Sequence, residues 1–124
     1  MRGETVTCFS EKEEEFVNLL IKIGIQKNIA RILVFLSKTP KATSREIERG
    51  TDMRQPEVSM TVHYLMDLGW IKSRGSTGEN KGHQIKIYEL AKPFNEIMDC
   101  IEKDKITEIN KKLALVQKVR EHLR

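Results

Sequence analysis

Apolar residues recur at helical spacing along most of the chain and alternate with polar ones in a single region. Phe16, Leu19, Leu20 and Ile23 form the first stripe. Ser10-Glu11-Lys12-Glu13 precedes it with the spacing of a capping box, in which the serine hydroxyl accepts from the amide three residues on and the glutamate reaches back. Gly24 supplies a left-handed residue to end that helix. A second helix is predicted from about Gln26 to Ser37, with Ile29, Ile32, Leu33 and Leu36 on one side and Val34 and Phe35 widening the face. Pro40 closes it by forcing the preceding residue toward extended geometry. Thr43-Ser44-Arg45-Glu46 is another capping box and opens a short helix from Ser44 to Arg49, ended by Gly50. A further helix runs from Gln55 to Leu68. Pro56 is tolerated there because first-turn amides have no partner within the helix. Val58, Val62, Leu65 and Met66 form its inward stripe, and Gly69 stops it.

The pattern then changes period. Trp70-Ile71-Lys72-Ser73-Arg74 and Gln84-Ile85-Lys86-Ile87-Tyr88 read as two strands, separated by a run from Gly75 to Gly82 rich in turn residues. Pro93 starts a last helix without another Pro or Gly. Its first stripe is Phe94, Ile97, Met98 and Ile101. Its second, Ile106, Ile109, Leu113, Val116 and Leu123, steps by three and four residues and is close to a coiled-coil seam interrupted by Arg120. The two stripes are out of phase across Glu102 to Lys105, so a kink, stutter or break is expected there.

The fold class expected from this order is mainly α with a small β-hairpin: a winged helix-turn-helix domain followed by a long C-terminal dimerisation helix. The expected division is a flexible tail over residues 1–9, a winged-helix domain over 10–92 and the dimerisation helix over 93–124. The two helices that meet near Gly50 pack at a steep angle, so the second projects outward. With Val58, Val62 and Leu65 turned in, Gln55, Ser59, Met60, His63 and Tyr64 fall on the outer side, where an inserted helix meets base edges in a major groove.

Thr43-Ser44-Arg45-Glu46-Ile47, Gln55-Pro56-Glu57-Val58-Ser59 and Leu65-Met66-Asp67-Leu68-Gly69-Trp70-Ile71 together resemble the MarR and TrmB-type regulators of archaea and bacteria. The match covers about Ile25 to Leu90. The resemblance implies a DNA-binding regulator whose chain after the wing makes the dimer. It places Arg54 at the entry to the recognition helix, Gln55 and Pro56 in its first exposed turn, and Ser59 and His63 on successive turns of the groove-facing side. Met60 stands where such proteins frequently have a basic residue.

Composition sharpens this reading. A chain of 124 residues, 39% hydrophobic and 32% charged, is sized for one globular domain. The net charge of +4 is mild, but its distribution is uneven: −2 over residues 1–24, +5 over 25–92 and +1 over 93–124. The excess lies where a polyanion would bind. No Lys or Arg occurs between Gln55 and Leu68, and Glu57 is expected to answer first-turn amides rather than cytosine. The candidate DNA-contacting set is therefore divided. Gln55, Pro56, Ser59, Met60 and His63 lie on the recognition helix, with Arg54 at its entry. Thr43, Ser44 and Arg45 come from the helix before it, and Arg74, Lys81, His83 and Lys86 from the hairpin, which in a winged helix lines the backbone and minor groove.

The candidate partners are double-stranded DNA and a second copy of the chain, paired through Phe94, Ile97, Ile101, Ile106, Ile109, Leu113, Val116 and Leu123. A small-molecule effector is compatible with this frame, but no residue argues for one. No run is long and apolar enough for a membrane span, and no basic region followed by an apolar run opens the chain, so a cytoplasmic location is expected. Cys8 and Cys100 lie far apart without metal-ligand spacing, which points to reduced thiols and no cofactor, with metal or redox sensing the minor alternative. His63, His83 and His122 have no carboxylate or nucleophile at recognisable spacing, and no phosphate loop is present, so no enzyme is expected. The rival class is a winged helix that meets protein in transcription or chromosome machinery.

Overall fold

The computed structural model describes residues 9–77 and 84–124. Lys81 and His83, expected in the hairpin, and Cys8 lie outside the described residues. The chain divides into two compact units, residues 1–91 and 92–124.

The first unit is built on α2 (Lys27–Lys38), whose Ala30, Ile32, Leu33, Val34, Phe35 and Leu36 are all buried. Helix α1 (Glu11–Lys22) carries the expected capping box: Ser10 Oγ accepts from the Glu13 amide at 3.2 Å, and Glu13 Oε1 accepts from the Ser10 amide at 2.7 Å. Gly24 follows with φ of 103°, in the region glycine adopts without steric cost. The buried face of α1 is rotated from the expected one. Val17 and Leu20 point inward, whereas Leu19 and Ile23 are exposed.

After α2 the chain forms a short strand, β1 (Ala42–Thr43), which the sequence pattern does not reveal because two residues carry no periodicity. Helix α3 (Ser44–Thr51) begins with its capping box intact: Thr43 Oγ1 accepts from the Glu46 amide at 3.2 Å, and Glu46 Oε1 accepts from the Thr43 amide at 2.8 Å. Gly50 does not end α3. It lies buried within the last turn, and the left-handed residue is Asp52, with φ of 58°. Gly50 serves close approach instead. A Cβ there would lie 2.7 Å from Cδ1 and Cζ of the Phe35 ring, well inside contact distance, so only glycine lets α3 pack this closely on α2.

Helix α4 (Gln55–Asp67) buries Val58, Thr61, Val62 and Leu65, with Met66 only half-buried. It ends at Gly69, φ 80°, where the amide of Trp70 donates back to the carbonyl of Leu65 at 3.0 Å. Strands β2 (Ile71–Thr77) and β3 (Gln84–Leu90) pair antiparallel, Ile71 opposite Leu90 and Thr77 opposite Gln84. Gly75, Ser76 and Thr77, expected in the turn, belong to β2. β1 pairs with the other edge of β3, giving the order β1-β3-β2.

The second unit is α5 (Phe94–Glu121), 28 residues and about 42 Å long. It runs through Glu102–Lys105 as helix without interruption, so of the expected kink, stutter or break, a break is absent. The change of phase is instead a change of exposed face. Ile97 and Ile101 are buried, while Ile106, Ile109, Leu113, Val116 and Leu123 are exposed.

Candidate nucleic-acid interface

The packing of α4 and the hydrogen bonds around its start set its pose. Its inward stripe of Val58, Val62 and Leu65 is almost fully buried. Glu57 Oε1 accepts from the Arg54 amide at 3.0 Å, satisfying a first-turn donor as expected from its position. Arg31, on α2, donates from Nε to the carbonyl of Thr51 at 3.0 Å, and its guanidinium stacks 5.0 Å from the centre of the Phe9 ring. The hydroxyl of buried Thr51 donates to the Ile47 carbonyl at 2.6 Å. These bonds tie the end of α3 to α2, and Met53 in the segment before α4 is buried.

On the other side α4 presents Gln55, Pro56, His63 and Asp67 exposed and Ser59 half-buried. Met60 stands at 75% of its full exposure and Tyr64 at 51%. Their spacing of four residues puts them on adjoining turns of one flank. Together with Gln26, Ile29 and Thr61 they line an open groove of about 350 Å³. The sequence signal for that groove is the pairing of Met60 and Tyr64 with Ile29, whose side chain belongs to the apolar face of α2 yet is only half-buried.

His63 is held in a particular way. Its Nδ1 lies 3.0 Å from the carbonyl of Ser59. A carbonyl only accepts, so Nδ1 carries the proton and donates. In the neutral ring Nε2 is then an acceptor, suited to the amino groups of adenine or cytosine. Only the charged ring donates from that atom, as an acceptor edge or phosphate would need.

The cations surround this helix. Arg45 and Arg49 on α3 and Arg54 at the entry to α4 are exposed, and among the described residues none has a carboxylate partner. Thr43 and Ser44, half-buried, stand at the start of α3, with the Thr43 hydroxyl already engaged in its cap. The wing differs from its sequence reading. Arg74 Nη2 donates to Glu89 Oε2 at 2.8 Å, and Lys72 Nζ lies 3.9 Å from the same oxygen. Glu89 lies outside every motif, and only the strand register shows that it meets both cations. Residues directly opposite in an antiparallel pair share a face. Lys72, Arg74, Glu89 and Ile87 therefore line one face of the hairpin, and Lys86, opposite Gly75, lies on the other.

A helix pair with an outward second member, followed by a hairpin that joins β1 in a small three-stranded antiparallel sheet, defines a winged helix-turn-helix protein. Residues 23–79 match the model of the MarR family. The fold of the chain is a winged helix, the fold it shares with the solved structures it resembles. It is similar in structure to TrmBL2, an archaeal chromatin protein whose structure shows a novel mode of DNA binding: TM-score 0.66, 19% identity, over 90% of this chain and 40% of that one. The chain thus spans about 40% of the length of TrmBL2. It is also similar to a possible transcriptional regulator from Methanosarcina mazei Go1, with TM-score 0.63 and 15% identity over 95% of this chain and 94% of that one. A MarR family transcription regulator superposes with TM-score 0.52 and 20% identity over 90% and 78% of the two chains. At these identities the likeness is one of fold. No curated protein matches the chain in sequence. No described helix is long and apolar enough to cross a membrane.

Proposed function

We propose that this chain is a homodimeric, sequence-specific DNA-binding regulator of transcription, with α4 in the major groove and the β2–β3 wing on the backbone or minor groove. The observation that carries the reading is the exposed outer side of α4, held by a buried inner stripe and flanked by Arg45, Arg49 and Arg54 without carboxylate partners among the described residues. Those arginines supply phosphate contacts, and Gln55, Ser59 and His63 choose among base edges, Gln55 by a bidentate pair with adenine. The exposed stripe of α5 from Ile106 to Leu123 supplies the self-association.

Binding of random and selected duplexes, followed by anisotropy between about 50 and 200 mM salt, tests it. Affinity that falls steeply with salt, together with a sequence preference, supports the assignment. Salt-insensitive absence of binding overturns it and favours the protein-binding reading, to which the exposure of Met60 and Tyr64 lends weight.

A further inference from the structure

The exposed face of α5 carries an internal charge symmetry. Ile106, Ile109, Leu113 and Val116 stand at helical spacing along one side, Ile109 and Leu113 more than half exposed. A charged residue closes the row at each end: Glu102 before Ile106 and Arg120 after Val116. These two are eighteen positions apart. That is about five turns of an α-helix, so both side chains leave the helix in the same direction as the apolar row between them. Neither has an ion-pair partner among the described residues.

From these positions we infer that two copies pair antiparallel through α5, about a two-fold axis at the level of Lys111, with Glu102 of each copy against Arg120 of the other. The inference rests on the proposed homodimer and adds its direction and register. Lys111 is the midpoint of Glu102 and Arg120, and also of Ile109 and Leu113 and of Ile106 and Val116. An antiparallel pair about that point therefore stacks each of these four apolar residues on another, an a position against a d position, while Leu123 lies beyond the charged end, level with Asp99 of the other copy. It also matches both charged ends with opposite charge. A parallel pair would set Glu102 against Glu102 and Arg120 against Arg120 in the seam. A shift of one heptad would leave Arg120 against Ile109, without a carboxylate. The charges thus act mainly to exclude wrong arrangements. Val119 flanks the row, and Leu115 lies outside it, so neither fixes the direction.

Charge reversal in the full chain separates the arrangements. In the antiparallel dimer Glu102→Arg alone turns both ion pairs into repulsions, as does Arg120→Glu alone. Each should raise the dimer dissociation constant about ten-fold by sedimentation equilibrium, and the double reversal should restore it. In a parallel dimer each reversal exchanges one like-charge pair for another, so unchanged association of the single variants overturns the inference. Spin labels on Lys111→Cys or Lys118→Cys, in a chain also carrying Cys8→Ser and Cys100→Ser, give a second readout at exposed positions. The antiparallel register offsets the two Lys118 labels by about 21 Å along the axis and leaves the Lys111 labels level. Equal distances at both positions overturn the register while the dimer stands. A monomeric native chain overturns the dimer and the register together.

Discussion

Gly50 decides how closely the helix before the turn approaches α2. Gly50→Ala places a methyl group against the Phe35 ring, which lies in a filled core and is itself almost fully buried. Overpacking of this kind costs about 1–3 kcal/mol. Denaturant unfolding should show that loss, and Phe35→Leu added to Gly50→Ala should recover part of it. Glu13 shows a different residue-level effect. The Ser10 amide and then the Lys38 ammonium, 2.9 Å away, hold its carboxyl below the ordinary carboxylate range. A depressed folded value means that the stabilisation is present above the ordinary carboxylate range and is lost as pH falls through the lowered value. NMR titration should find Glu13 protonating at lower pH than exposed glutamates, and Glu13→Gln should flatten that part of the acid stability curve. A Glu13 that titrates in the ordinary carboxylate range would contradict the cap. Most caps and stops are legible as letters because they are local chemistry: Ser10 with Glu13, Thr43 with Glu46, Gly69. Gly50 looks like a stop in the sequence because its purpose lies in a neighbour fifteen positions back, and no local rule carries that information.

The wing belongs to the scale of elements. Its cations are not equally available: Glu89 engages Arg74 and lies near Lys72, and Lys86 occupies the opposite face. Glu89→Gln releases both cations and removes a negative charge from the same surface. Affinity for any duplex should rise several-fold at low salt, and the salt dependence should steepen. Unchanged affinity would show that this face of the wing does not meet DNA. Arg74→Ala in the native background should cost little, because the arginine would have to leave a carboxylate to reach a phosphate. At this scale the hairpin itself was readable from its alternation and its glycines. The pairing of Arg74 with Glu89 was not, since it follows from the register of two strands rather than from either strand alone. β1 escaped for a related reason: two residues have no pattern, and only β3 makes Ala42–Thr43 a strand. The continuity of α5 is the converse case. A shift in apolar phase looks like a break when every apolar residue is assumed to face one partner, but a single continuous helix can carry two stripes on two sides.

For the whole molecule, the proposed function makes base choice rest on few groups. With no Lys or Arg from Gln55 to Leu68, Gln55→Ala should relax preference at one base pair by about 1–3 kcal/mol, read from selected-site competition. Arg45→Ala should weaken all duplexes alike and shallow the salt slope by about one contact. A Gln55→Ala chain with unaltered preference would remove that residue from the reading set.

Thr43 occupies two structures at once. Its backbone pairs with Ile87 in β3, and its side chain caps α3. The wing strand and the helix ahead of α4 therefore share a residue rather than a flexible joint. If the wing and α4 meet DNA as proposed, they would act like the jaws of a locked calliper: their separation would be set by the protein, and a duplex would have to bring the matching groove width to them.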